Sequence, residues 1–566
     1  MGSLFSTLDI ARSGLQAAQV QLEVAAHNIA NVNTEGFSRQ RADLTSRSPV
    51  YKTYGALGRG VEVVTIERLR DAFLDKAYRL EAAGLGEAEI KAQYYAQIED
   101  IFLEPSEDGF GDQLDVFFDA LNDFANSVEE LTVRQSVIAE AETLAASLNQ
   151  IAERFELLRT EANEEVKTSV EEINSLAERI AFLNDQILSV ESGDNQANDL
   201  RDQRDLLIDE LAGLVDITAR ERENGQVEVL IGSDQLVSGA NWRTLEAVRN
   251  AALDDERQDL VEVRFVDNGE LADVTGGSLF AALDMRDTIF VEYDQYIDDL
   301  AGNLIYALNR IQNQGNGLVN LSGTITSTNA VSDAGIALDS AGLPFAVTDG
   351  TFDVMVYDAT GTLTSTTTIT VTAATTTLTS LAADLDAISG ISASVVDGVL
   401  EISSDGDNSF TFANDSSEVL TALGVNGVFT GHDARTIAVS EHIRENPSML
   451  TSGYSLDVLE TGDNTAALEM AGLRNALLMD SGTATLNDYY ESIIVNIGVE
   501  AQANEQALVV GEAAVADIED RRLAVSGVSL DEEVTFMLQF QHAYEAAARV
   551  VTVADNMLET LLSMAL

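Results

Sequence analysis

Four histidines, His27, His432, His442 and His542, are the only imidazoles in the chain, and no two of them stand four residues apart. A helix-borne metal centre needs that spacing, so none is expected from them. The chain has no cysteine, which removes thiolate metal sites and any disulfide framework. No Gly-rich phosphate loop ending in Lys-Ser/Thr is present: Gly58-Arg59-Gly60 stands alone, and Lys167 is the last lysine. A G-x-S-x-G nucleophile elbow is also missing. Acidic pairs occur throughout, so no glycosidase dyad stands out. The stretch "SSDGDNSF" opens like a calcium loop but lacks a bidentate Glu at the right distance, which leaves Asp405 and Asp407 expected at a hairpin tip. No catalytic residue, metal site or cofactor is expected, and the chain is not expected to be an enzyme.

Charge narrows the partners further. Across 566 residues, 95 acidic and 32 basic side chains give a net charge of −63. Nucleic-acid binding needs a cationic face to displace condensed counterions, and an anionic membrane surface repels so acidic a chain. No run of about 18 apolar residues exists to span a bilayer. The N-terminal "MGSLFSTLDIARSG" has neither a basic region nor a continuous apolar core, so no cleavable signal peptide is expected. Partners are therefore expected among proteins. A hydrophobic share of 45% with 22% charged residues is that of folded, not disordered, protein.

What remains is patterning, and it is strongest at the two ends. Leu4, Leu8, Ala11, Leu15, Ala18, Leu22, Ala25 and Ile29 recur at alternating steps of four and three, the seam of an amphipathic helix. At the other end Val534, Met537, Gln541, Tyr544, Ala548, Val551, Leu558 and Leu561 form a second stripe. Ser529 with Glu532 three residues on reads as a capping box opening that helix.

Between the ends the expected order is an axial helix, turn and extended segment over 1–70, a long helical domain over 71–215, and a β-rich subdomain over 216–277. The last carries two Asn-Gly turns, "RENGQVEVLIG" and "VEVRFVDNGELADV". A long helix over 278–319 rejoins the helical domain. A Thr-rich β insert follows over 320–425, then a mixed segment and returning helix over 426–524, and the C-terminal helix over 525–566. The fold class is α+β, multidomain, with long helical bundle or coiled-coil regions built from both ends and β-rich outer domains inserted. For 113–212 the stripe fits a coiled-coil seam and a bundle face equally.

The N-terminal helix stops at "ANVNTEGFSR". Ala30, Asn31, Thr34, Gly36, Phe37 and Arg39 match the A-N-x-x-T-x-G-[FY]-x-R signature of the bacterial flagellar rod, hook and hook-associated proteins, which this stretch resembles. The C-terminal "LDEEVTFMLQFQHAYEAAARVVTVADNMLETLL" is similar to the partner segment of the same superfamily. "ANDLRDQRDLLIDELAGLVDI", "LGVNGVFTGHDARTIAVS" and "SGVSLDEE" are similar to segments of its hook-associated members. The resemblance covers most of 1–315 and 420–566, and nothing functional carries onto the insert. It implies a secreted, extracellular structural subunit, exported by the flagellar type III route with an export chaperone. It further implies self-association into a ring, with hook protein on one side and the next junction protein and filament on the other. Its terminal helices are expected to be poorly ordered until neighbours cover their stripes. A hook or distal-rod protein is the nearest alternative. A secreted acidic adhesin with a ligand-binding β insert is the alternative of another class, and it predicts dispensable ends.

Overall fold

The computed structural model describes residues 2–53, 55–102, 109–191, 195–250, 259–455 and 462–565, and the side chains of these apart from 2–4, 561, 562 and 565. The chain divides into two units that interleave along the sequence: residues 1–93, 160–285 and 502–566 form one, and residues 94–159 and 286–501 the other. The consecutive domains expected from the sequence are therefore cut by three long helices, Ala72–Phe102, Leu131–Val190 and Leu486–Ser526, each of which contributes to both units.

In the first unit the helices Gly2–Ala30 and Leu530–Ala565 pack on one another. Beside them strands Gln40–Ser46 and Val61–Arg68 pair antiparallel from Gln40↔Arg68 to Ser46↔Val61, with an irregularity at Asp43/Leu44. The Val61 amide donates to Ser13 Oγ (3.2 Å), tying this ribbon to the N-terminal helix.

The same unit holds a four-stranded sheet, Ile217–Glu221, Val227–Ile231, Asp234–Ser238 and Asn241–Trp242, in that spatial order. A separate pair, Leu245–Arg249 with Val261–Phe265, lies in the same core. The turn at Asn224-Gly225 places Gly225 at φ +81°, open to glycine without strain. Val166, Val170, Ile173, Leu176 and Ile180 of helix Leu131–Val190 share a core with Leu207, Ile208, Leu211, Val229, Val237, Val263 and Phe265. That part of the helical stripe is thus a helix-on-sheet face.

Three asparagines interrupt the stripe and anchor it. Asn163 binds the Val261 amide (3.0 Å) and the Asp259 carbonyl (3.2 Å). Asn174 binds both backbone groups of Leu245 (2.8 Å each). Asn184 receives the Val227 amide and donates to the carbonyls of Val227 and Gly239, all at 2.9 Å. A carboxamide matches one donor and one acceptor of an exposed strand edge, so each satisfies backbone groups that an apolar side chain would leave unpaired.

The second unit is built on aromatic contacts between helices, such as Tyr94 edge-on to Phe290 (5.4 Å), Phe155 stacked on Tyr293 (6.4 Å) and Phe110 against Tyr490 (4.9 Å). Arg134, fully buried, donates through Nε to Val128 O (2.7 Å), lies 4.8 Å from the Phe124 ring, and is also bonded to Leu450 O. The Thr-rich region folds as two three-stranded sheets around helix Leu378–Asp386. Phe352, Val354, Leu381, Leu385, Ile402, Phe410 and Phe412 fill their common core. In strand Leu363–Val371 the threonines at 364, 366, 368 and 370 are exposed, as alternation on a half-buried strand requires. Asp397-Gly398 closes the hairpin between Ile391–Val396 and Val399–Ser404, both residues at positive φ. Asp405 and Asp407 do not close a hairpin: the segment carries the chain from one three-stranded sheet to the other.

Candidate assembly site at the joined chain ends

The polar stop after the first helix is a hydrogen-bonded turn. The Thr34 amide donates to Asn31 O (2.9 Å), Thr34 Oγ1 to Asn31 Oδ1 (3.2 Å), and the Phe37 amide to Thr34 O (3.2 Å). Gly36 sits at φ +73°. Phe37 packs edge-on against His27, centroids 5.5 Å apart, while His27 Nε2 faces Asp199 at 3.2 Å. Ala30, the last helical residue, is exposed.

Two side chains that flank the turn, Asn28 before it and Arg39 after it, meet the start of the C-terminal helix. Asn28, buried, accepts the Gln40 amide through Oδ1 (3.0 Å) and donates through Nδ2 to Gln40 O (2.9 Å) and Glu533 Oε2 (3.1 Å). Arg39 Nε donates to the other Glu533 oxygen (2.7 Å), its Nη1 to Glu532 (3.2 Å), and its guanidinium lies 5.6 Å from the Phe536 ring centre. The Arg39 amide donates to Ser526 O (2.8 Å). Glu533 is only 3% exposed. Its carboxylate is stable there because both oxygens receive donors, one of them charged. The sequence expectation for Ser529 and Glu532 is corrected here: Ser529 precedes the helix, but the Glu532 carboxylate turns to Arg39 rather than back to the cap.

A ladder of carboxylates fixes the same turn from the other side. Helix Asn198–Leu214 presents Asp199, Asp202, Asp205 and Asp209 at steps of three and four, hence on one face. Asp202 accepts the Ser38 amide (2.9 Å) and Arg68 (2.7 Å). Asp205 accepts Arg68 (2.9 Å) and Arg70 (3.0 Å), while Asp209 accepts Arg79 (2.7 Å) and Arg522 (2.6 Å). Burial opposes charge on Asp205, but Arg70, then Arg68, Arg204 and Arg79, outweigh it and hold the carboxyl down at about 2. The ladder joins four separate stretches of chain to one helix.

The seams are placed as follows. Ala11, Ala18 and Ala25 are buried, Leu8, Leu15, Leu22 and Ile29 are half-buried, and the Leu4 side chain lies outside the described residues. An ideal Cβ on Gly14 would lie 3.7 Å from the Ala547 Cβ, which marks the close approach of the two helices. On the C-terminal helix the less exposed row is Glu533, Met537, Phe540, Ala547, Val551, Ala554 and Leu558. Val534, Gln541 and Tyr544 are exposed, Ala548 is half-buried, and the Leu561 side chain is outside the described residues. The expected stripe begins one residue late at Val534, because an acidic residue is not counted as a seam position. Glu533 occupies one since Arg39 and Asn28 meet it there.

The family model of the flagellar hook-associated protein FlgK helical domain matches residues 95–328. The flagella basal body rod protein model matches 8–37, and the flagellar basal body rod FlgEFG protein C-terminal model matches 520–564. Flagellar hook-associated protein 1 of Bacillus subtilis (strain 168) is 28% identical over 579 residues, covering 100% of this chain and 99% of its own. The protein of that name from Escherichia coli (strain K12) is 26% identical over 588 residues, covering 99% of this chain and 100% of its own. The similarity to flagellar hook-associated protein 1 thus runs the full length of this chain. In fold it is similar to the flagellar hook junction protein FlgK from Burkholderia pseudomallei, with a TM-score of 0.51 at 18% identity over 80% of this chain and 100% of that one.

The two rod-type matches are the two segments that the Asn28–Glu533 contact joins. Sequence reasoning names Arg39 but not its partner. Glu533 is identified by its place at the buried head of the inward row. The Asp199–Asp209 ladder is missed, although four aspartates on one helical face are a visible signal. Among the described residues no group of three or more His, Asp or Glu is placed to hold a metal. His442 Nε2 faces Asn426 Oδ1 (3.2 Å), and burial pushes its pKa down.

Gly36→Ala tests the turn. A Cβ there would sit 3.3 Å from the Leu206 Cβ, and a left-handed conformation costs an L-residue about 1–2 kcal/mol. The Phe37 amide is expected to exchange roughly tenfold faster with solvent deuterium. An unchanged rate would show that the turn does not depend on Gly36.

Proposed function

We propose that this chain is a non-catalytic structural subunit of the bacterial flagellum, outside the cell, that joins hook to filament and self-assembles into a ring through its paired terminal helices. The observation that carries the reading is the apolar outer face of that pair. The C-terminal helix turns its inward row to Gly2–Ala30, yet Val534, Leu538, Val550, Val553 and Met557 stand exposed. So many apolar side chains on one described helix call for further helices against them, and neighbouring subunits supply those. The family's role gives the neighbours: hook protein below, the next junction protein and filament above. Export as an unfolded chain suits a sequence without cysteine, since no disulfide has to form or be reduced on the way. An export chaperone would cover the terminal stripes before assembly.

Gold-antibody labelling of intact flagella from the source bacterium tests this by electron microscopy. One cluster per flagellum, at the hook–filament junction, is the expected result. Label spread along the hook would move the chain to the hook family. Flagella without label, with the protein free in the medium or on the cell surface, would overturn the axial reading.

A further inference from the structure

Strands Val50–Lys52 and Gly55–Leu57 pair only with each other, Val50 opposite Leu57 and Lys52 opposite Gly55. An isolated two-stranded hairpin is marginal in water, because neither face is covered. Here every residue of both strands is exposed, and the aromatic ring of Tyr51 belongs to a residue 82% accessible. Tyr51 and Ala56 face one side of this ribbon and Val50 and Leu57 the other, and all four are exposed.

The charge along the stretch that carries this ribbon is opposite to that of the molecule. Residues 38–60 hold five basic side chains and one acidic, in a chain of net charge −63. Three of the five are engaged: Arg39 with Glu532 and Glu533, Arg41 with Glu67, and Arg47 with Glu62. Among the described residues Lys52 and Arg59, both exposed, have no carboxylate partner. An exposed aromatic ring with two such cations near it in the chain fits an apolar patch flanked by carboxylates. The C-terminal part of helix Leu486–Ser526 offers one: Glu505, Val509 and Glu512 are exposed at steps of four and three, so they share a face, with exposed Val510 beside them. Two strongly acidic copies repel at long range, but that repulsion is screened over about 8 Å at physiological salt, which leaves close contacts to decide the pairing.

We infer that the hairpin Val50–Leu57 docks on a second copy of this chain, Tyr51 against Val509 and Val510, with Lys52 and Arg59 meeting Glu505 and Glu512. The inference rests on the reading that copies pack side by side in the flagellum.

The test replaces Tyr51 by the photocrosslinker p-benzoylphenylalanine in the full chain, irradiates intact flagella, and maps the product by mass spectrometry. The expected product has twice the 60.7 kDa chain mass and joins residue 51 to the 500–515 region. Adding Lys52→Glu and Arg59→Glu is expected to lower its yield at least tenfold. The same label at Ala56, on the facing strand, is expected to give the same partner and serves if the Tyr51 position blocks incorporation. A product with a different flagellar protein overturns the second-copy partner. A product with another region of the same chain overturns the acceptor helix. No product from either position, with the chain present on the flagella, overturns the docking altogether. Unsubstituted chain absent from flagella is the separate failure of the axial reading, and the docking falls with it.

Discussion

Glu533→Leu is expected to speed amide exchange over residues 31–40 and the first two turns of helix Leu530–Ala565 by roughly a hundredfold, equivalent to about 3 kcal/mol. The carboxylate is almost fully buried and receives Arg39 Nε at 2.7 Å and Asn28 Nδ2 at 3.1 Å. Its removal leaves a half-buried guanidinium with only the more exposed Glu532 as counter-charge, and the cost of an uncompensated charge dominates. Glu533→Gln keeps the shape and an acceptor for Asn28 but not the charge, so it should fall between. Hydrogen exchange by mass spectrometry on the full chain reads the effect locally, which a global melt of a chain with two units would not. Wild-type protection at Phe37 and Arg39 in the leucine variant would mean that this contact does not hold the chain ends together.

Asp205→Asn is expected to destabilise the first unit by roughly 2–3 kcal/mol at neutral pH, with the difference from wild type closing in acid. Burial alone would raise this carboxyl, yet Arg70 and then Arg68 bring it to about 2, below the unfolded value of about 3.9. The native state therefore binds fewer protons than the unfolded one. The stabilisation is fully present above about pH 4 and is lost as pH falls toward 2. Asp202, which shares Arg68, is pushed the other way by burial, with Arg68 and the Ser38 amide only partly offsetting it. The two carboxylates thus oppose each other in wild type, and only the wild-type-minus-variant difference isolates Asp205. Calorimetric transitions at pH 7, 5, 4 and 3 measure it. A gap that is constant over that range would show that Asp205 acts by shape rather than by charge.

What could be read from the sequence was local. The heptad of residues 4–29, the punctuation at 30–39 and the Asn-Gly turns each declare themselves within a dozen residues, because helical period and turn chemistry depend on near neighbours. The β character of 216–277 and of the Thr-rich insert follows from alternation in the same way. The strand pairing does not: no short-range pattern says that the segment after Ser404 changes sheet.

The registers and partners across long gaps belong to the tertiary structure alone. Asn28 meets Glu533 across 505 positions, and that contact, not the apolar periodicity, decides which face of the C-terminal helix turns inward. Asn163, Asn174 and Asn184 look like breaks in a helical seam until the strands whose backbone they satisfy are in place. The Asp199–Asp209 face looks like a solvated charge run until Arg68, Arg70, Arg79 and Arg522 arrive from three other stretches. Periodicity specifies which residues need burial or a partner, since that depends only on side-chain type and spacing. Which partner each one finds is decided when the chain closes, because pairing energy depends on distances that sequence separation does not encode.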